Sequence, residues 1–572
     1  MVEISKTTKM ISFKIKQLRR KFNIYNIDGY VVPKNDDYFS EYSSPDRLKF
    51  ISNFDGSAGL AIILRNKNYL FVDGRYTIQA KSQAGNNFNV VEISKKLPWK
   101  ILKHRIKIGY NPYCFTSLSL ERYFKDYFTL VPIHDEIISK KISRKVNNKF
   151  YFIKDHFTGE SAKSKINKVL RYLREDKSDC LFVTAPENIA WLLNLRGKDN
   201  PHSPIPNCRM ILKKNGEIYL FAKKSKIRNL SNKKHLLKAK VIDENKINIF
   251  LKNFKSRKII LDRLSCSLAY RNILKKKINI SKKNDPIYNM KSIKNDIEIK
   301  NFIKTHIFDG VAVIKFLYWI KNYKKKLYEL DAEKKLNFFR KKNKNYLFPS
   351  FNTISASGPN GAIIHYRANK SSNRIIKKND IFLCDSGGQY KYGTTDITRT
   401  ISLGKQTKKI KNIFTYVLKS HIAVASSNLN KLKSAHLIDN LARKFLKKNG
   451  LDYPHGTGHG VGYFLNVHEG PVAISKGYKI TLKPGHVISN EPGYYKKGKF
   501  GIRLENMIYV KKFKNNMYFK NLTMVPFDRE LINFKLLNKR EKDYLTNYNL
   551  EVYSNVEKYL NYKEKFWLLS QF

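Results

Sequence analysis

The chain is poor in cysteine, in acidic residues and in long apolar runs. Five of its 572 residues are cysteine (Cys114, Cys180, Cys208, Cys266 and Cys384), an odd number, widely spaced and without a C-x-x-C pair. That pattern argues against a disulfide framework or a thiolate zinc module and reads as reduced thiols in a cytoplasmic protein. No run of ~18 apolar residues occurs, so no membrane span is expected. The first twenty residues carry charge in every turn and lack the apolar stretch of a secretory leader, so they read as the start of a helix.

Acidic residues number 46 against 111 lysines and arginines, a net charge of +65. Such a charge ordinarily points to nucleic acid or an anionic surface. Here lysine supplies most of it, while arginine, the residue suited to bidentate phosphate contact, is scarce. The lysines are scattered along the whole chain, beside abundant Asn, Ile, Tyr and Phe, all with A/T-rich codons. The charge therefore reads as compositional background, and no specific nucleic-acid partner is expected. Self-repulsion and salt sensitivity remain as its consequences.

What is present is ample material for packed cores: 42% hydrophobic and 13% aromatic residues over a length that implies several domains. No tandem repeat with a period of 20–50 residues is visible. The patterning predicts a helix over 12–25, strands at 29–33, 59–64 and 69–72, and alternating strands and helices to about 138. A second α/β segment starts near 150, with strands at 180–183, 209–212 and 218–221 and a helix opened by Pro186. The polar, turn-prone stretch 280–287 marks a boundary. Beyond it come two long helices (293–322 and 328–343), an antiparallel set of strands, and a helix pair within 406–450 closed by Asn449-Gly450.

Four short stretches of that last part carry the chemistry. Asp385-Ser-Gly-Gly with Thr395-Asp396, the run His455-Gly-Thr-Gly-His459-Gly, Asn490-Glu491-Pro-Gly and Arg503-Leu-Glu505-Asn506 each place a candidate ligand at the end of a strand or in a glycine-rich segment. Two Asp, one His and two Glu suit a pair of hard divalent ions, and such a pair can activate water and clamp the bond it attacks. Residues 381–384 read as a buried strand ending in Asp385, and 394–400 as its partner carrying Asp396. Cys384, alternating with Asp385, should face away from it. Alternation over 500–510 sets Ile502 and Leu504 on one face and Arg503 and Glu505 on the other. His455 and His459 are four apart, but the intervening glycines argue for a loop and not a helix. A phosphate cradle is the competing reading of that loop, and the absence of a following G-K-[ST] weighs against it. One histidine among four carboxylates favours Mn²⁺ or a similar oxygen-preferring ion. His365, His455 and His468 flank the acidic set in sequence.

With Gly358-Pro-Asn-Gly-Ala-Ile-Ile-His365-Tyr366, Gly393-Thr-Thr-Asp396, the long run from His455 to Pro471, and Asn490-Glu-Pro-Gly-Tyr-Tyr495, the chain resembles the aminopeptidase P family of creatinase-like metallopeptidases, in its three-domain cytosolic form. Residues 40–42, 53–59, 73–76 and 186–191 extend the resemblance upstream, less specifically. It implies two creatinase-like α/β domains (1–138 and 139–286) followed by a pita-bread α+β catalytic domain (287–572). It also implies two divalent ions, Mn²⁺-like, and hydrolysis of the bond before a proline at the second position of a peptide. On the same resemblance Asp396 and Glu505 bridge the ions, Asp385 holds one, and His459 and Glu491 hold the other. Glu491 would move the proton, His365 and His468 would stabilise the intermediate, His455 would line the proline side, and Arg503 would orient the carboxylates. A homodimer is implied as well. Prolidase, another aminopeptidase of this fold, and a non-catalytic scaffold are the alternatives.

Overall fold

In the computed structural model of the chain, the described residues are 2–42, 45–102, 105–138, 148–228, 230 and 239–572. They form two compact units, Met1–Asp155 with Glu160–Ile287, and His156–Gly159 with Tyr288–Phe572. The boundary expected at 138/139 abuts residues 139–147, which lie outside the described residues. Among the described residues no helix is long and apolar enough to cross a membrane.

The first unit contains the same six-stranded sheet twice. Each sheet has a central strand, Gly29–Pro33 in one and Cys180–Val183 in the other. Each of these pairs antiparallel with one neighbour (Gly59–Leu64; Arg209–Lys213) and parallel with another (Lys107–Tyr110; Lys258–Leu261). The outer strands repeat the pattern too. No short-period repeat foreshadows this, because the repeated object is a whole α/β layer. The central strands are buried along their length, as expected of strands covered on both faces. The first helix runs Val2–Arg19, starting and ending earlier than the predicted 12–25. Asn23 and Asn26 break its continuation, Asn26 with φ of 48°.

In the second unit the helix Asp296–Asn322 opens on a capping box, with Asn295 and Glu298 each accepting the other's backbone N–H. Its inward face meets the helix Glu329–Lys341 through a buried bidentate pair, Arg340 to Asp309 at 2.7 and 3.1 Å. Tyr390 donates to the same aspartate at 2.7 Å, which ties strand Gly388–Tyr390 to both helices. Three antiparallel strands, Ile354–Ser357, Ile381–Ser386 and Ile397–Ser402, form one sheet. Val487–Asn490, Asn506–Phe513 and Asn516–Asn521 form another, and Gly493–Lys496 pairs with Phe500–Arg503. Helices Lys408–Ala425 and Ala435–Lys447 pack against this set.

Two expectations are corrected here. The strand predicted over 394–400 is divided: Gly393–Thr394 pairs with Gly388–Tyr390, and the strand facing Asp385 begins only at Ile397. Asp396 therefore lies in the link Thr395–Asp396. The strand predicted over 500–510 breaks at Leu504-Glu505, where the chain passes from one pairing partner to another. Residues 501–510 are all buried, and the alternation read from the sequence holds over 502–505: Ile502 and Leu504 join the apolar core, while Arg503 and Glu505 turn to the acidic cluster.

Arg399 welds the sheets together. Its guanidinium, 2% exposed, has no carboxylate partner among the described residues. It donates to the carbonyls of Thr398, Glu505, Val525 and Pro526, to Asn506 Oδ1 and to the Tyr548 hydroxyl. Removing it strands several buried acceptors at once, each costing ~1–3 kcal/mol. Arg399→Met is therefore expected to lower the unfolding free energy of this unit by ~3–5 kcal/mol. The denaturant midpoint checks this, and an unchanged midpoint would contradict it.

Candidate metal centre

The site forms where strand ends and tight links of the second unit converge. Asp385 lies near the end of strand Ile381–Ser386, opposite Thr398 in register. Arg503 donates to its Oδ2 at 2.5 Å. Its Oδ1 is buried and has no hydrogen-bond partner among the described residues. Glu505 follows the break after Arg503. Its N–H donates to the carbonyl of Thr398 at 3.1 Å, and the Thr398 hydroxyl donates to its Oε2 at 2.8 Å. Glu491 lies just past strand Val487–Asn490, its N–H bonded to the carbonyl of Thr457 at 2.8 Å. The Ser489 hydroxyl reaches its Oε1 at 3.2 Å.

His459 occupies the two-residue strand Gly458–His459, against Ala473–Ile474. The loop expectation holds for its neighbours, and close approach explains the glycine at 458, where a Cβ would lie 1.8 Å from the carbonyl oxygen of Ser489. Nδ1 of His459 is 3.0 Å from the carbonyl oxygen of Gly460. A carbonyl only accepts, so Nδ1 carries the proton and Nε2 faces the acids. Nε2 is 3.4 Å from Asp396 Oδ2 and 3.6 Å from Glu491 Oε1. One ligand atom each from Asp396, His459 and Glu505 lie within 4.8 Å of one another.

These groups crowd like charges in a buried space. Burial drives the Asp385 carboxyl up to about 6, with Arg503 opposing and Asp396 reinforcing the shift. Burial, then Asp396, Glu491 and Asp385, hold Glu505 well above the ordinary carboxylate range. Burial disfavours a charged His459, but Asp396 and Glu491 outweigh it and push the imidazole up to about 9. A buried acid cluster with an orphaned carboxylate oxygen, and an imidazole with its tautomer fixed by a carbonyl, is a donor set that fits divalent cations. Oxygen donors dominate it, which suits Mn²⁺-like ions.

The predicted histidines take different positions. His455, half-buried, holds the Gly456 carbonyl through Nδ1 at 2.8 Å and meets the Tyr495 hydroxyl through Nε2 at 2.8 Å. Arg503 donates to that same hydroxyl at 2.7 Å, so Tyr495 in turn donates to His455. His468 is exposed and its ring lies 4.3 Å from that of His459, edge on. His365 is half-buried just beyond the turn Gly358–Ala362, next to Ile364, whose carbonyl is 3.5 Å from Arg503. Cys384 is buried away from solvent, its thiol pushed up to about 12 by burial. Sequence reasoning missed Tyr495 and Thr398 as parts of the site. Tyr495 carried a signal, being the second of two tyrosines after Pro492-Gly493; Thr398 carried none beyond its place in a threonine-rich strand.

Comparison with known proteins places the chain in a family. Residues 300–512 match the model of metallopeptidase family M24, and 515–571 that of the C-terminal region of the same peptidases. Residues 14–139 and 143–298 match models of the creatinase/prolidase N-terminal domain. The chain is 36% identical to a probable Xaa-Pro aminopeptidase P of Laccaria bicolor, covering 95% of this chain and 90% of that one. It is likewise 36% identical to one of Paracoccidioides brasiliensis, covering 96% of each. Its structure resembles an X-prolyl aminopeptidase of Caenorhabditis elegans, a cytosolic enzyme with a di-nuclear active site, at a TM-score of 0.92 and 28% identity over 98% of this chain and 99% of that one. A prolidase of Pyrococcus horikoshii covers 64% of this chain and 99% of its own length, at a TM-score of 0.52 and 25% identity.

The crowding generates a pH-dependent prediction. Glu505 has a higher pKa folded than unfolded, so it costs the metal-free fold nothing below ~pH 4 and progressively more as pH rises above that. Glu505→Gln, permanently neutral, should therefore melt higher than the wild type in chelator at pH 7.5, by ~1–4 °C, and no higher at pH 4. Equal melting temperatures at pH 7.5 would contradict the crowding.

Proposed function

This chain belongs to the aminopeptidase P group of metallopeptidase family M24, and from that premise we propose that it is a two-metal Xaa-Pro aminopeptidase. It removes the N-terminal residue of peptides whose second residue is proline. The observation that supports this most is the convergence of Asp396, His459 and Glu505 within 4.8 Å, with the Asp385–Arg503 pair alongside. Asp396 and Glu505 would hold both ions, Asp385 would complete one shell, and His459 with Glu491 the other. A divalent pair bound there supplies an acidified water and a polarised carbonyl at neutral pH. Mn²⁺ is the ion proposed, from the oxygen-rich donor set.

The protein's own groups then have separable tasks. Glu491, half-buried and beside Ser489, accepts the proton of the attacking water and returns it to the departing proline nitrogen. His365 and His468 stabilise the charge that develops on the scissile carbonyl oxygen. Arg503 fixes Asp385 at 2.5 Å and, through Tyr495, the ring of His455. Proline's tertiary amide offers no N–H to recognise, so selection rests on packing of its ring. His455 and Tyr495 supply that wall. A homodimer and a reducing compartment belong to the same proposal; the five buried free thiols agree with the second.

Mass spectrometry of peptide products tests the reading. The Mn²⁺-loaded protein should convert Arg-Pro-Pro to Arg and Pro-Pro, leave Arg-Ala-Pro essentially intact, and cleave a free Xaa-Pro dipeptide far more slowly. Chelation should abolish the reaction and Mn²⁺ restore it. Cleavage persisting in metal-free Asp396→Ala/Glu505→Ala protein would overturn the proposal, and faster cleavage of the dipeptide than the tripeptide would redirect it to prolidase.

A further inference from the structure

Residues 452–457, which carry His455, belong to no helix or strand, and their backbone bonds to neighbouring strands are those of Thr457, whose N–H meets the carbonyl of Ile474 and whose carbonyl takes the N–H of Glu491, each at 2.8 Å. They are also gripped by one ion pair on the helix Ala435–Lys447, which contributes no candidate ligand. Arg443 Nε donates to Asp439 Oδ2 at 2.8 Å. One terminal nitrogen of Arg443 donates to Asp452 at 2.7 Å and to the carbonyl of Tyr453 at 2.8 Å; the other donates to the carbonyl of His455 at 2.5 Å. The guanidinium also lies 4.0 Å over the Tyr453 ring. Asp439, fully buried, takes a second hydrogen bond from the Thr457 hydroxyl at 2.6 Å. The Thr457 proton is thus committed, and Tyr453 is the donor in its 2.5 Å contact with Thr457.

Both ends of this bracket reach the site. The carbonyl held by Arg443 is that of His455, whose ring closes the chain through Tyr495 and Arg503 to Asp385. The residue held by Asp439 is Thr457, whose carbonyl receives the N–H of Glu491 at 2.8 Å. We propose that Asp439 and Arg443 are positioning residues that set His455 at the proline-side wall and hold the Thr457 carbonyl that anchors Glu491, and so fix selectivity at the second substrate position. The inference rests on the aminopeptidase reading above. A planar fork is essential to it, because one cation must hold two aspartates and the carbonyls of Tyr453 and His455 at once.

Two variants test this. Arg443→Lys keeps the charge opposite Asp439 but has a single nitrogen and cannot span both carbonyls. Asp439→Leu/Arg443→Met replaces the buried pair by apolar groups of similar size, a change that folds often tolerate. Both are expected to bind metal in the parent's stoichiometry. Both should lose roughly 10- to 100-fold in kcat/KM on Arg-Pro-Pro, chiefly through KM, with preference for proline over alanine falling in step. Amide hydrogen exchange over 455–459 and at Glu491 should quicken in both. A variant that only melts lower, with KM, selectivity and exchange at parent values, would overturn the proposal and leave the pair a purely structural one. The parent's own rate separates the two levels: a parent that does not cleave Arg-Pro-Pro sinks the functional reading, while exchange at 455–459 still decides the positioning.

Discussion

Carboxylates repel one another most strongly where solvent is scarce, and this fold gathers Asp385, Asp396, Glu491 and Glu505 where the Arg503 guanidinium and the His459 imidazole oppose them. Arg503 neutralises Asp385 alone. His459 shares itself between Asp396 and Glu491. Burial first, and the neighbouring negative charge after it, raise the carboxyl affinities for protons at Asp385 and Glu505. A fold left in that state spends stability to keep acids close together. In the two-metal reading proposed above, divalent cations would remove the penalty and use the same acids as ligands, so the site's cost without metal and its function with metal would be two aspects of one arrangement.

Keeping the acids there requires rigid supports, and these are mostly neutral or cationic groups bonded to backbone. Thr398 receives Glu505's N–H on its carbonyl and bonds that residue's carboxylate with its hydroxyl. Arg399, next in sequence and facing the opposite way, clamps the carbonyl of Glu505 from behind. Alternation within one strand thus sends Thr398 toward the acids and Arg399 into the scaffold. The glycine at 501 belongs to the same design: a Cβ there would lie 1.8 Å from the carbonyl oxygen of Gly361. That close approach lets the turn before His365 pack on the strand that delivers Arg503.

Much of this was legible in the sequence, for a physical reason. Hydrophobic strands that stop at a carboxylate, followed by Gly or Pro-Gly, are costly unless the carboxylate has a partner, so Asp385 and Glu491 stood out singly, and Glu505 stood out by sharing a face with Arg503. Apolar patterning reports which face a residue takes but not a change of pairing partner, which hid the break at Leu504-Glu505 and the placement of Asp396 in a link. Thr398 could not be read because its value comes from Glu505, distant in sequence, whereas Tyr495 stood in a marked stretch and only its bond to His455 was hidden. Asp439 and Arg443, spaced i and i+4, look like an ordinary exposed helix pair until the loop 452–457 is seen folded onto them. The doubling of the first unit was expected only through the family resemblance, since no repeat of residue identity marks it and topology persists where residue identity does not.

The central claim is that the crowded acids are a two-cation site. Titrating Mn²⁺ into metal-free protein at pH 7.5 by calorimetry, in buffers of different ionisation enthalpy, tests it directly. Two ions per chain should bind, with net proton release as His459 and a carboxyl give up the protons that crowding holds on them, and with a higher Tm. Binding of one ion or none, or binding without proton release, would contradict the account.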